Sequence, residues 1–441
     1  MHREVFKSIL LGALVLASVT MTFNILFYKS DFENYNPNST KRVAIAQARN
    51  IPEVIRPNLM LEHNSNGEFG QNSTNQIQRV YTLLRQSIFR ESTNYTIGQG
   101  TNNNPHYTLV FPAPLTIDAL SKVFSFDDND KSLTRSKLLI DRVEVFSSPN
   151  GRNVNAVFYS PDERSKLYTT VDHLNMNNLK GLYVDTNLHP YDRQALNGKI
   201  VYLPDNKTYM YSEISYYQRL SLEEFIPILF TDPDNVFPSR GKTEYTDSER
   251  QMERTNNVIQ FVNPGITSSS GQKQDPIIGS IEWMNNFKIW TDNYIYQGVS
   301  LKNSRGDGTA TFRMTLGNYM VFNTETYPNW YLSLIELSWK SGELSNYRGT
   351  LLDLNPVGGQ GRIALDSGKE ILDQLSSNTN VQVKKIEDLT IGYELKNPTS
   401  DSDQSISATP DWFYKIGGRW YSVTSALMNA RGINSGKETP S

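Results

Sequence analysis

Cysteine is absent from all 441 residues. With no disulfide available, packing alone must hold the fold, which suits bacterial surface proteins better than small stapled ectodomains. A zinc site would have to rest on the five histidines, His2, His63, His106, His173 and His189. None stands in a His-Glu-x-x-His arrangement or close to another in the chain, so no metal is expected. The serine-hydrolase elbow Gly-x-Ser-x-Gly is missing as well. Gly358-Gly359-Gln360-Gly361 is followed by no Lys-Ser/Thr and reads as a flexible loop rather than a phosphate cradle. Asp127-Asp128-Asn129-Asp130 lacks the later Gly and Glu of a calcium loop and reads as a solvated acidic turn. Arg305-Gly306-Asp307 spells an adhesion tripeptide, but its Gly and Asp serve a tight turn. No catalytic residue and no cofactor is therefore expected.

Charge of one sign is also scarce. Removing Arg3, Lys7 and Glu4 from the 43 basic and 46 acidic residues leaves 41 and 45 beyond residue 28. No basic stripe exists to neutralise phosphates, so nucleic acid is not an expected partner. Hydrophobic residues make up 38% of the chain, enough for a packed core and too much for disorder.

One long apolar run stands out against this background. Ile9 to Tyr28 carries 20 residues without a charge. At about 1.5 Å per helical residue that length matches a bilayer core of roughly 30 Å. The run predicts a transmembrane helix over 9–28, with residues 1–8 cytoplasmic because Arg3 and Lys7 precede it. The bulk of the chain is then extracellular, on a single-pass anchor in the cell membrane. A cleaved signal peptide at Ala17-Ser18-Val19 is the rival reading; the run continues past a usual apolar core of about 7–15 residues. Ala13, Ala17, Thr20 and Asn24 recur on one helical face. Two readings stand for that stripe: a seam for a partner's helix, or an ordinary span whose Asn24 meets water at the outer interface.

Beyond the span, 29–42 reads as a tether. Mixed strands and helices predict an N-terminal α+β domain over 43–185, a central one over 186–266 and a C-terminal one over 275–428. Residues 267–274 form a Ser/Gly/Gln linker, and 429–441 form a disordered tail. Helix starts are written at Ser73 or Thr74, at Thr116, at Ser221 with Glu224, at Asp275-Pro276, and at Ser367 with Glu370. Pro227 is expected to bend or shorten its helix. Ile200–Leu203 and Tyr209–Tyr217 read as strands joined by Pro204-Asp205-Asn206. Asp307-Gly308, Ser341-Gly342 and Gly417-Gly418 mark hairpins. In the strand after Asp307-Gly308, Phe312, Met314 and Leu316 alternate with Thr311, Arg313 and Thr315, so one face should be buried. The expected class is α+β, with mainly antiparallel sheets and helices packed on one side.

Several stretches carry a likeness. They are Phe6-Lys7-Ser8-Ile9 running into Ser18-Val19-Thr20, Phe225-Ile-Pro-Ile-Leu-Phe-Thr-Asp-Pro-Asp-Asn-Val236, Asn257-Val-Ile-Gln-Phe-Val-Asn-Pro264, Ile386-Glu-Asp-Leu-Thr-Ile-Gly-Tyr-Glu-Leu395 and Pro410-Asp-Trp-Phe-Tyr414. The chain resembles the YycH family, membrane-anchored accessory proteins of the YycFG (WalRK) two-component system of low-GC Gram-positive bacteria. The resemblance implies three outer domains and no enzyme activity. It also implies a complex with YycI and the sensor histidine kinase YycG (WalK), bearing on cell-wall metabolism. The reading from another class is a surface enzyme or wall-binding module, such as a hydrolase using two carboxylates.

Overall fold

The structure is a computed structural model. It describes residues 45–91, 106–127, 138–148, 153–182, 188–266, 274–303, 306–398, 400 and 403–430. The apolar run 9–28 and the stripe Ala13, Ala17, Thr20 and Asn24 lie outside the described residues, as do Asp128 to Asp130, Arg305 and 431–441. No helix among the described residues is long and apolar enough to cross a membrane.

Two sheets organise the described chain. The first holds β1 (Leu59–Asn64), β2 (Gly67–Gln71), β3 (Ile88–Glu91), β4 (His106–Thr116), β5 (Ser125–Phe126), β6 (Leu139–Ser147), β7 (Val154–Tyr159), β8 (Lys166–Asp172), β9 (His189–Leu196) and β10 (Lys199–Pro204). Its order is β10-β9-β2-β1-β4-β6-β7-β8-β3-β5. The second holds β11 (Thr208–Arg219), β12 (Phe237–Pro238), β13 (Glu244–Thr246), β14 (Gln251–Thr255), β15 (Val258–Val262), β16 (Tyr294–Leu301), β17 (Gly308–Leu316), β18 (Tyr319–Phe322), β19 (Leu334–Lys340), β20 (Glu343–Thr350), β21 (Leu352–Leu365), β22 (Asp388–Leu395), β23 (Ser405–Ile416) and β24 (Arg419–Ser422). Among the described strand pairs only β3–β5 and β18–β22 run parallel. The helices are α1 (Ile51–Val54), α2 (Thr74–Arg85), α3 (Ile117–Ser121), α4 (Met176–Leu182), α5 (Ile226–Leu229), α6 (Pro276–Phe287), α7 (Gly368–Ser377) and α8 (Val423–Ala430). The class is α+β and rich in antiparallel sheet.

Period-two patterning explains the first sheet. One face is apolar and buries Phe89, Phe111, Phe124 and Phe158 beneath α2. Tyr81 of α2 meets Phe111 and Phe124 edge-on at centroid distances of 6.2 and 5.9 Å. Such pairs add about 0.5–1.5 kcal/mol to the area term. Ile77, Val80 and Leu84 complete the buried stripe of α2. Ile88, the next apolar residue at helical spacing, lies beyond the helix and opens β3.

Three of the caps anticipated from sequence are present, whereas Ser73 precedes α2 without a side-chain cap hydrogen bond. Thr116 Oγ1 accepts from the Ala119 N–H at the start of α3. Asp275 accepts from the N–H groups of Ile277 and Ile278 at the start of α6. Ser367 and Glu370 close a reciprocal box on α7. Ser221 instead opens a 3₁₀ turn over Leu222–Phe225, followed by only one α turn that holds Pro227. Pro227 lies in the first turn of that α element, and its missing N–H interrupts the hydrogen-bond run from the 3₁₀ turn.

Other expectations need correction. Gly358 to Gly361 is not a loop: it lies inside β21, paired to β11 with two register shifts. Gly358 and Gly361 have φ of +138° and +69°, and a Cβ on Gly359 would sit 2.9 Å from the Tyr211 Cβ. Glycine permits the bulges and the close approach, so the strand continues through them. β10 and β11 are both strands, yet they join different sheets, and β10 pairs with β9. The positive φ before β17 belongs to Gly306, at +90°, whereas Gly308 is already in the strand. In β17 both Arg313 and Thr315 are buried beside Phe312 and Met314, while Leu316 is partly exposed. Ile295, Met320, Phe322 and Phe413 cover the Arg313 side, so the strand is enclosed on both faces. A last helix, α8, runs to Ala430, so 429 and 430 are helical; Ser422 Oγ accepts from the Ser425 N–H at its start.

The two sheets share one continuous core cluster. Polar contacts reinforce it. Thr116 donates to Asp275 Oδ2 at 2.6 Å, and the Tyr296 hydroxyl donates to the Pro114 carbonyl at 2.6 Å. The first described residues clip onto α6: the Ala46 N–H reaches the Lys288 carbonyl at 2.7 Å, and the Arg49 backbone exchanges two hydrogen bonds with the Asn285 amide.

Candidate functional site

The second face of the first sheet is polar. Strand register brings His63, Glu68, His106, Thr108, Glu144, Arg142, Tyr159, Tyr191, Arg193 and Tyr202 to one side. His63 and His106 are direct partners on β1 and β4, and their rings stack at 4.4 Å with planes 3° apart. The two are not close in the chain, yet the fold brings them into contact. Forty-odd residues of chain separate them, so only strand register reveals the pair.

Each ring has a carboxylate beside it. His63 Nδ1 is 3.4 Å from Glu68 Oε1, and His106 Nε2 is 3.5 Å from Glu144 Oε1. His63 Nε2 meets Thr108 Oγ1 at 2.9 Å. Glu144 also accepts from the Tyr159 hydroxyl; burial first, then that carboxylate, holds the phenol well above its ordinary pKa. Tyr202 stands edge-on to His63, with centroids 6.4 Å apart.

Beyond Tyr202 lies a buried ion network. Arg142 is 1% exposed, and its guanidinium donates to Asp141, Glu163 and the carbonyls of Ser160 and Pro161 at 2.9–3.2 Å. Arg193 donates to the other oxygen of Glu163 at 2.7 Å. Burial pushes the Asp141 carboxyl above its usual range, against the pull of Arg142. With every guanidinium arm engaged, this network pins the β9–β10 hairpin to the turn after β7.

A cleft of about 110 Å³ opens between β10 and the second sheet, lined by Asn72, Tyr191, Tyr202, Tyr319 and Trp412 among others. Lys199 of β10 forms an ion pair across it with Asp388 of β22. Asn72 donates to the Tyr319 hydroxyl. Pockets for drug-sized ligands run to roughly 300–1,000 Å³, so this cleft is a joint more than a substrate chamber.

No group of three or more His, Asp or Glu suited to a metal occurs among the described residues. Stacked parallel imidazoles do not aim their lone pairs at one point. Asp292 and Asp353 come nearest to a carboxylate pair with raised pKa: burial, then Asp353, pushes Asp292 up to about 7. Neither lines the inter-sheet cleft.

The family models for the YycH protein match 198–430 with the C-terminal domain and 4–187 with the N-terminal domain. The chain belongs to the YycH family. It is 21% identical over 470 residues to the "Two-component system WalR/WalK regulatory protein YycH" of Bacillus subtilis (strain 168), covering 99% of this chain and 100% of that relative. Its fold matches the crystal structure of YycH from Bacillus subtilis with a TM-score of 0.69 at 17% identity, over 87% of this chain and 99% of that one. The YycH likeness in 225–236, 257–264, 386–395 and 410–414 falls on a short helix and on strands of the second sheet.

Proposed function

We propose that this chain is a non-enzymatic, membrane-anchored regulator of a WalR/WalK-type two-component system. The observation that carries this reading is its end-to-end match to a relative named for regulating WalR/WalK. The apolar run 9–28 supplies the anchor, with residues 29–441 outside the cell. Ala13, Ala17, Thr20 and Asn24 supply the seam for a partner helix, either the sensor kinase's or YycI's. A helix that packs better on one kinase state shifts the kinase equilibrium by that difference, and about 1.4 kcal/mol is tenfold. The readout is transcription of cell-wall genes under the kinase.

The test compares deletion of residues 29–441 with replacement of 9–28 by polyleucine, and adds Thr20→Leu with Asn24→Leu. Each alteration of the span is expected to change kinase-dependent transcription at unchanged protein level. Unchanged transcription with both the polyleucine span and the Thr20→Leu/Asn24→Leu span sinks the seam. Turnover of a wall fragment by the purified full chain overturns the non-enzymatic reading.

A further inference from the structure

We propose that the His63–His106 stack is a proton-operated joint that takes up its protons one at a time, not together, and re-sets the β9–β10 hairpin when the first arrives. Such a joint lies beyond the regulatory reading and needs no partner. Histidine is the side chain that changes charge near neutrality. Two such rings 4.4 Å apart, on directly opposed residues, repel once both are charged.

The surroundings place a carboxylate beside each ring. Glu68 from β2 and Glu144 from β6 face the pair, each 3.4–3.5 Å from a ring nitrogen. Both stand at the outer limit of hydrogen-bond distance, so a proton on either ring has a carboxylate to draw in. The neighbouring ionisable groups on this side have other partners or surroundings. Tyr159 of β7 is held protonated against Glu144. Tyr202 of β10 is raised by burial and bonded to Arg142, and Arg142 and Arg193 are both engaged by Glu163. Tyr191 of β9 is raised by burial, His189 lies further along β9 and is exposed, and Glu62 of β1 points to the opposite face.

Movement has a route outward. Glu68 sits opposite Tyr191 in the β2–β9 pairing, and Tyr202 touches His63 directly. Both lead into the hairpin that carries Lys199 to Asp388 of the second sheet. Charging His63 pulls on Glu68 and changes the edge-on contact with Tyr202, and so alters how tightly the hairpin is held.

The test uses the full chain with ¹³C-labelled histidine, whose five side chains give five signals. His63 and His106 are expected to titrate as a coupled pair, in two steps about one pH unit or more apart. His106→Gln should turn His63 into a single step, and Glu144→Gln should move the first step to lower pH. Amide hydrogen exchange of 189–204, corrected for intrinsic chemistry, should differ at least about threefold between pH 7.5 and 5.5, and the double variant H63Q/H106Q should lose that difference. Independent titration of the two rings, or an undiminished exchange response in the double variant, overturns the proposal. If the histidine variants fail to fold, the wild-type titration and Glu144→Gln decide it.

Discussion

Single residues carry charge burial that no local pattern announces. Burial, then Asp353, raises the Asp292 carboxyl from 3.8 to about 7 in the folded state. The folded chain then binds more protons than the unfolded chain between those values, so stability falls as pH rises through that window. Asp292→Asn keeps an acceptor for the Leu354 N–H and removes the penalty. The variant should be more stable than wild type at pH 8 by on the order of 2 kcal/mol, with the gap closing towards pH 4. Thermal unfolding across that range checks it; a constant gap would refute the assignment. Arg313 is a second case. Burial, met by no carboxylate among the described residues, lowers it to about 9, and it donates instead to Gln297 and Ser333 beside the Phe322 ring. Arg313→Ala should cost about 3–5 kcal/mol in chemical denaturation, because it leaves a void and two stranded polar groups. Neither charge was readable beforehand, since Arg313 sits where strand alternation places solvent. The cover on that side comes from Ile295, Met320, Phe322 and Phe413.

At the scale of elements, short-range chemistry was legible and long-range pairing was not. Thr116, Asp275 and Ser367 act within three residues of themselves, and sequence suffices to find them. The Ser341-Gly342 turn is local too, with φ of +54° and +80°. By contrast, β15 pairs β20 with Val258 opposite Thr350, and β11 lies against β21. Nothing local selects such partners, and the His63–His106 contact was hidden for the same reason. The caps also interlock. Thr116 accepts from Ala119 to cap α3 while donating to Asp275, which caps α6. Thr116→Val should cost about 1–3 kcal/mol and Asp275→Ala about 1–2 kcal/mol. A double-mutant cycle in denaturant should give a coupling of about 0.5 kcal/mol or more. Strict additivity would show the link to be idle.

For the whole molecule, the class and the family likeness were visible from sequence, whereas the distribution of strands between sheets was not. Ile200–Leu203 and Tyr209–Tyr217 adjoin in the chain and part company in space. One core cluster runs through both sheets, so unfolding of the described region should follow a single transition by near- and far-ultraviolet circular dichroism. The Lys199–Asp388 pair is partly exposed at 24% and 17%. Its coupling should not exceed about 1 kcal/mol and should shrink in high salt.

The clip at residues 46–49 has a mechanical corollary. Asn285 binds the Arg49 backbone through both ends of its amide and also accepts from the Trp290 indole. A tug or twist arriving along the polypeptide from upstream therefore enters the body at the C-terminal end of α6. The load path runs through the second sheet's scaffold before it reaches the first.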